Sequence, residues 1–280
     1  SAIRHGFEGP VCVFHRGPKP PWTERLGRDG DQYRVGKTRL AFHEIDPPRH
    51  LGYHKPKAAL EVLRLYPECD ALIYADPDIV FLAPWTFYDN WMSHGVALCL
   101  DSHFGSLPDE HPWRVEWKRL LEKAGLASFR GTPYANAGFL ALMREHRRLL
   151  EIWEKVTDLF EAEGNDTTRY YMEDRYRPVV GDQDTLAMAL QGWDGPRSVL
   201  GPEAMGFTGY HFILSHDIDS PKAWSRPFVR RALSGYPPGR AGGLYLEYAN
   251  APIAAWAPEK LAQRKAAYRL AQLITRVWKR

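Results

Sequence analysis

The sequence predicts an α/β fold, and three observations predict it. Apolar runs of four to six residues, the length of buried strands, recur between stretches whose apolar residues follow helical spacing. Gly and Pro, 23 and 22 of 280 residues, interrupt the chain too often for a long coiled coil. Apolar residues make up 44% and charged residues 25%, the balance of a globular protein and not of a disordered or fibrous one. Strands alternating with helices favour a mixed sheet flanked by helices, with ligands beyond the carboxyl ends of strands.

The elements follow in order. Residues 1–6 read as the end of a helix, and residues 11–14 (VCVF) as a strand closed by His15-Arg16-Gly17-Pro18. An α/β domain normally opens with a strand, so an opening strand and most of a first helix are expected to be missing from this sequence. Residues 57–66 (KAALEVLRLY) carry Ala58, Leu60, Val62, Leu63, Leu65 and Tyr66 at helical spacing. Strands are expected at 71–75 (ALIYA), 79–82 (IVFL), 95–100 (GVALCL) and 139–143 (FLALM). Residues 145–160 form an amphipathic helix through Leu149, Leu150, Trp153, Val156, Leu159 and Phe160, and another helix starts by Thr185. Residues 161–177 are polar and aromatic without a period. Residues 196–209 and 235–243 read as Gly/Pro-rich connections. The domain reading is one catalytic domain over 1–258 and a basic amphipathic helix over 259–280.

Composition excludes several function classes. A net charge of +3 is too small for a generic nucleic-acid binder. Cys12, Cys69 and Cys99 are odd in number and far apart, which argues against a disulfide framework or a cysteine zinc site and favours a reducing, cytoplasmic setting. No apolar run is long enough to span a bilayer, and SAIRHGFEGP has no signal-peptide core. Ten Trp and fourteen Tyr can fill a core or stack on sugars and bases. Trp85, Trp91, Trp113, Trp117 and Trp153 are assigned to packing. Gly36-Lys37-Thr38 mimics the end of a phosphate-binding loop, but the earlier glycine is Asp31.

Chemistry concentrates at Asp76-Pro77-Asp78, between the runs ALIYA and IVFL. Two carboxylates two residues apart at a strand end can converge on one hard cation, and Mg²⁺ or Mn²⁺ commonly shares such oxygens with substrate phosphates. Pro77 fixes φ and stiffens the presentation. The competing reading is a solvated turn, for which Asp and Pro are ordinary residues.

With three further segments, the chain resembles the GT-A fold glycosyltransferases, and among them the retaining family 8 that includes glycogenin and bacterial galactosyltransferases. KAALEVLRLYPECDALIYADPDIVFL (57–82) is similar to the family's helix–strand–DxD unit. YANAGFL (134–140) resembles its Asn-Ala-Gly segment, GDQDTL (181–186) its Asp-Gln-Asp segment, and HDIDSPKAW (216–224) its histidine followed at a fixed gap by Lys-Pro-Trp. The order and approximate spacing agree over about 60% of the chain.

The resemblance implies transfer of a hexose from a nucleotide-diphosphate sugar, most simply a UDP-sugar, to a hydroxyl on a glycan or lipid-linked acceptor, with retention of configuration. Asp76, Asp78 and His216 would hold Mn²⁺ or Mg²⁺; His216 is chosen over His211 by its five-residue gap to Lys222. Lys222 would contact the diphosphate. Asn136, Asp182, Gln183 and Asp184 would surround the sugar and the reacting carbon, and Asp101 its hydroxyls. Lys57 would reach the donor, with Lys55 as the alternative. The chain departs from the family at Asp219, where the family has Gly, and at Ala223, where it has Pro. Asp182-Gln183-Asp184 also suits a helix N-terminus, where acids complement the dipole. Rival readings are an inverting transferase with Asp101 or Asp182 as base, and a carbohydrate- or nucleotide-binding module without turnover.

The tail is a separate signal. Leu270, Leu273, Ile274, Val277 and Trp278 form one apolar stripe, and Lys260, Arg264, Lys265, Arg269, Arg276, Lys279 and Arg280 surround it. It carries +6 and the remaining residues −3, so basicity is confined to this helix. It reads either as an interfacial helix on an anionic membrane, peripheral to its inner face, or as a terminal helix docked on its own domain.

Overall fold

The computed structural model describes residues 1–102, 107–174, 176–211, 213–250 and 252–278, excluding the side chain of Trp278. Trp278 as part of the stripe, and Lys279 and Arg280, therefore lie outside the described side chains. Among the described residues the chain runs β1 (Val11–His15), β2 (Gly27–Asp29), β3 (Gln32–Val35), β4 (Thr38–Glu44), α1 (Lys55–Leu65), β5 (Ala71–Ala75), β6 (Ile79–Phe81), α2 (Trp85–Ser93) and β7 (Val96–Cys99). It continues through α3 (Pro112–Lys123), β8 (Phe139–Met143), α4 (Arg148–Ala162), α5 (Asp182–Gln191), β9 (Arg197–Leu200), β10 (Leu214–His216), α6 (Phe228–Leu233), α7 (Arg240–Tyr248) and α8 (Pro258–Trp278). This is the expected α/β class, with mixed sheets and flanking helices.

The chain divides into two compact units. One comprises Ser1–Glu44, Asp76–Thr86 and Glu203–Arg280. Its sheet has the order β1-β4-β3-β2: β1 lies parallel to β4, and two antiparallel hairpins complete it. Both hairpin loops have two residues and begin with a glycine at positive φ, Gly30 and Gly36, each at +61°. That conformation matches the twist of a tight hairpin and suits glycine. The Gly36-Lys37 pair is therefore a turn. β6 and β10 form a second, antiparallel ladder.

Helices α6, α7 and α8 of this unit share a small core of Ala223, Phe228, Ala232, Leu246, Leu261 and Ala271. The stripe expected on α8 divides. Ile274 is partly buried against this core, whereas Leu270, Leu273 and Val277 are 49%, 56% and 74% exposed. Residues 235–243, read as a connection, contain the start of α7. Its Gly242 and Gly243 serve close packing: a Cβ there would lie 2.9 Å from Arg226 and 2.7 Å from the Tyr268 ring.

The other unit comprises Ile45–Ala75 and Phe87–Pro202. Its sheet has the order β5-β8-β7-β9, with β8 antiparallel to both neighbours and β9 parallel to β7. Residues 196–209, also read as a connection, supply β9, whose strand state comes from its pairing to β7 and not from its own composition. The apolar face of α4 (Leu149, Leu150, Ile152, Trp153, Val156, Phe160) joins the core with Leu63, Leu98, Trp117, Leu140 and Leu186. The indoles of Trp91, Trp117 and Trp153 are buried and donate to Ser198 O, Pro178 O and Thr185 Oγ1, so they serve packing.

Candidate functional site

Chemistry-bearing residues gather in each unit. In the first, β6 pairs with β10 so that Ile79 lies opposite His216. The ladder extends by one bond, Asp217 N–H to Asp78 O at 3.1 Å, and a turn bond from Ile79 N–H to Asp76 O closes the preceding loop. The register thereby brings both carboxylates to the histidine. One ligand atom each from Asp76, Asp78 and His216 lies within 4.8 Å of the others.

Asp78 is 5% exposed. Its Oδ1 lies 3.3 Å from His216 Nε2 and its Oδ2 2.6 Å from the Lys222 ammonium. Burial acts to raise its pKa, but hydrogen bonding and charge from His216 and Lys222 outweigh burial and hold it at about 2. His216 Nδ1 is buried without a hydrogen-bond partner. Two carboxylate oxygens and an imidazole nitrogen form a donor set suited to Mn²⁺ or Mg²⁺, and the convergence of three such groups fits a divalent cation.

The loop after β10 is fixed by a buried pair. Asp217 and Arg226, each 2% exposed, meet at 2.9 Å, and Asp217 also accepts the Ala223 N–H. Arg226 donates to Asp219 O and approaches the Asp219 carboxylate at 3.5 Å. The charge at Asp219 is thus matched by an arginine. Sequence reading passed over Arg226, whose role shows only in this contact. It also passed over Tyr245, whose pKa is raised by burial and by the charges of Asp217 and Asp78.

The second unit holds the other candidates. The end of β7 meets residues 134–136 through Asp101 N–H to Tyr134 O and Asn136 N–H to Cys99 O. Asn136 donates to Asp101 Oδ2 at 3.3 Å and to Gln183 Oε1 at 3.1 Å, and accepts the Gly138 N–H. Lys55, 8% exposed, lies 2.6 Å from Asp182 Oδ2 and donates to Ala137 O. Asp182 Oδ2 lacks an aligned hydrogen bond, so this contact is primarily a charge pair. Lys55 belongs to the cluster, whereas Lys57 is exposed on α1.

Asp184 has a structural position. It accepts from the Val180 and Gly181 N–H groups and from Tyr134 OH, so its carboxylate closes the N-terminus of α5, whose N-cap Gly181 has no side chain to do so. Burial raises its pKa to about 6, with the Asp182 charge acting in the same direction, against these three hydrogen bonds. Tyr134, in turn, is raised by burial and by Asp184. Of the Asp-Gln-Asp segment only Gln183 is incompletely buried.

No protein-family model matches the chain, and no curated protein matches it. Among solved structures it is similar to a glycosyltransferase involved in glycosylation of the major capsid of PBCV-1, at 11% identity over 77% of this chain and 95% of that one, with a TM-score of 0.42. It is also similar to mouse xyloside xylosyltransferase 1 in its apo form, at 13% identity over 65% of this chain and 76% of that one, with a TM-score of 0.32. No helix among the described residues is long and apolar enough to cross a membrane.

Proposed function

We propose that this chain is a metal-dependent GT-A-type glycosyltransferase that moves a hexose from a UDP-sugar to a hydroxyl acceptor with retention of configuration. The observation that carries the reading is the convergence of Asp76, Asp78 and His216 with Lys222 against Asp78. When bound there, Mn²⁺ or Mg²⁺ supplies Lewis-acid stabilisation of a departing diphosphate. Lys222 brings a second positive charge to the same oxygens. Asp101, Asn136 and Gln183 offer hydrogen-bonding groups to sugar hydroxyls, and the Lys55–Asp182 pair braces the start of α5 beside Gln183. Retention is proposed from the resemblance to the retaining family, and the pairing of Asp182 with Lys55 supports it by occupying one of the two carboxylates an inverting base would draw on.

The acceptor is proposed to be a lipid-linked glycan at an anionic membrane surface on the cytoplasmic side. Support comes from Leu270, Leu273 and Val277, exposed on α8 with Arg269 and Arg276 also exposed.

The test is release of UDP from a panel of UDP-hexoses in Mn²⁺. Asp78→Ala is expected to lower the rate by about 10²–10³, the scale of a lost electrostatic stabiliser. Undiminished release in EDTA would overturn metal dependence.

A further inference from the structure

Both oxygens of the Asp78 carboxylate are engaged by the chain itself: Oδ1 by His216, Oδ2 by the Lys222 ammonium at 2.6 Å. The carboxylate is almost wholly buried, so losing one cationic partner without gaining another leaves an uncompensated charge. Lys222 is built differently from its surroundings. Its backbone follows a loop pinned by the Asp217–Arg226 pair and by the Ala223 N–H on Asp217. Its side chain is 34% exposed, and its ammonium is held at the far end by Asp78 and by Asp217 O at 2.9 Å. A four-carbon stem on a fixed backbone can move its charge while the loop stays in place.

A dication arriving alone at Asp78 must displace that ammonium, which then loses its anionic partner and opposes the new charge. A dication arriving with a diphosphate gives the ammonium a second anion within reach of the same stem. We propose that Lys222 is an exchangeable counter-ion of Asp78, which disfavours divalent metal alone and couples metal binding to binding of a nucleoside diphosphate. The proposal rests on the metal reading of Asp76, Asp78 and His216 given above. Coupling between two ligands is reciprocal, so the same residue strengthens diphosphate binding in the presence of metal.

The experiment is calorimetric titration of the full chain with Mn²⁺, alone and with saturating UDP. For the wild type, UDP is expected to tighten Mn²⁺ binding by about tenfold or more, within the usual range of coupling. Lys222→Met keeps the stem and removes the charge; it should bind Mn²⁺ alone at least about tenfold more tightly than wild type and lose most of the UDP effect. Lys222→Arg should retain coupling. Arg230→Met, at an exposed position of α6, removes a charge of the same sign and should leave Mn²⁺ affinity within about twofold, because screened surface charges act weakly at a distance. Mn²⁺ binding by Lys222→Met no tighter than wild type, or equal tightening by Arg230→Met, overturns the proposal. If Asp78→Ala still abolishes Mn²⁺ binding in that case, the metal reading stands. Absence of Mn²⁺ binding to the wild type, with and without UDP, overturns both.

Discussion

Replacing Lys55 with methionine tests which lysine serves the polar cluster. Lys55 and Asp182 are each 8% exposed and 2.6 Å apart, and the ammonium also lies 5.1 Å from the Tyr74 ring centre. Lys55→Met leaves the Asp182 carboxylate buried without its cation, which costs about 3–5 kcal/mol. At roughly 2–4 °C per kcal/mol for chains of this size, the thermal midpoint should fall by roughly 6–20 °C. Lys57→Met, two residues along α1 and exposed, should stay within about 0.5 kcal/mol of wild type. The decisive comparison is Lys55→Met/Asp182→Leu, which removes both charges and keeps apolar volume. It should recover most of the loss, because a buried pair replaced whole is often near neutral whereas a broken one is not. Urea unfolding followed by tryptophan fluorescence reads all four proteins. A double variant as unstable as Lys55→Met, or a Lys57→Met variant equally damaged, refutes the reasoning.

Three further outcomes follow from the geometry. Asp184 has a folded pKa near 6 against 3.8, so its stabilising contribution is complete below pH 4 and is lost as pH rises to about 6. Relative to Asp184→Asn, the wild type should therefore lose about 3 kcal/mol between pH 3 and pH 7 in denaturant titrations, and a pH-independent difference would contradict this. Arg226→Met should destabilise by about 3–5 kcal/mol by stranding Asp217, and Arg226→Met/Asp217→Leu should restore much of that in the same assay. Leu270→Ser/Leu273→Ser/Val277→Ser should leave the melting temperature nearly unchanged, since surface substitutions usually stay within about 0.5 kcal/mol. It should weaken co-sedimentation with phosphatidylglycerol vesicles by at least about tenfold, given about 1.5–3 kcal/mol per apolar side chain fully buried. Equal sedimentation of variant and wild type would remove the membrane proposal.

The elements visible in the sequence were those whose own pattern decides their state. ALIYA and FLALM are short, wholly apolar and bounded by turn residues, and β5 and β8 begin and end where those runs do. β2, β3 and β4 carry no continuous apolar run of four residues or more: β2 is Gly-Arg-Asp and wholly exposed, and β3 and β4 mix charged and polar residues with apolar ones, so the two glycine-led loops are the available signal. β9 and β10 could not be read locally, since partners distant in sequence set their state. On α8 the helix was legible but its buried face was not. The docked face carries Leu261 and Ala271, which share a core with Ala232 of α6, while Leu270 and Leu273 are exposed. Asp76 and Asp78 were legible because they follow the apolar run of β5, whereas His216 was legible only through the family resemblance and its gap to Lys222, its strand β10 being set by the register with β6. Lys55 against Lys57 was not, because residues two apart on a helix face different ways.

Asp182-Gln183-Asp184 shows how one short segment divides its duties. Its residues are the first three positions of α5, and successive helical positions project about a quarter-turn or more apart. Three polar side chains therefore cannot share one partner. Asp182 turns to Lys55, Asp184 turns back to the N–H groups of Val180 and Gly181, and Gln183 meets Asn136. The two acids complement the helix dipole, and their burial is matched by a lysine on one side and by three hydrogen bonds on the other. This leaves the uncharged member as the one with accessible surface. A glutamine there presents both donor and acceptor without a charge to desolvate, which suits a neutral hydroxylated ligand better than a second carboxylate would. The segment is thus a helix cap whose middle residue keeps accessible surface. By position the two acids hold the helix, and under the proposed function Gln183 would be the member that meets a sugar.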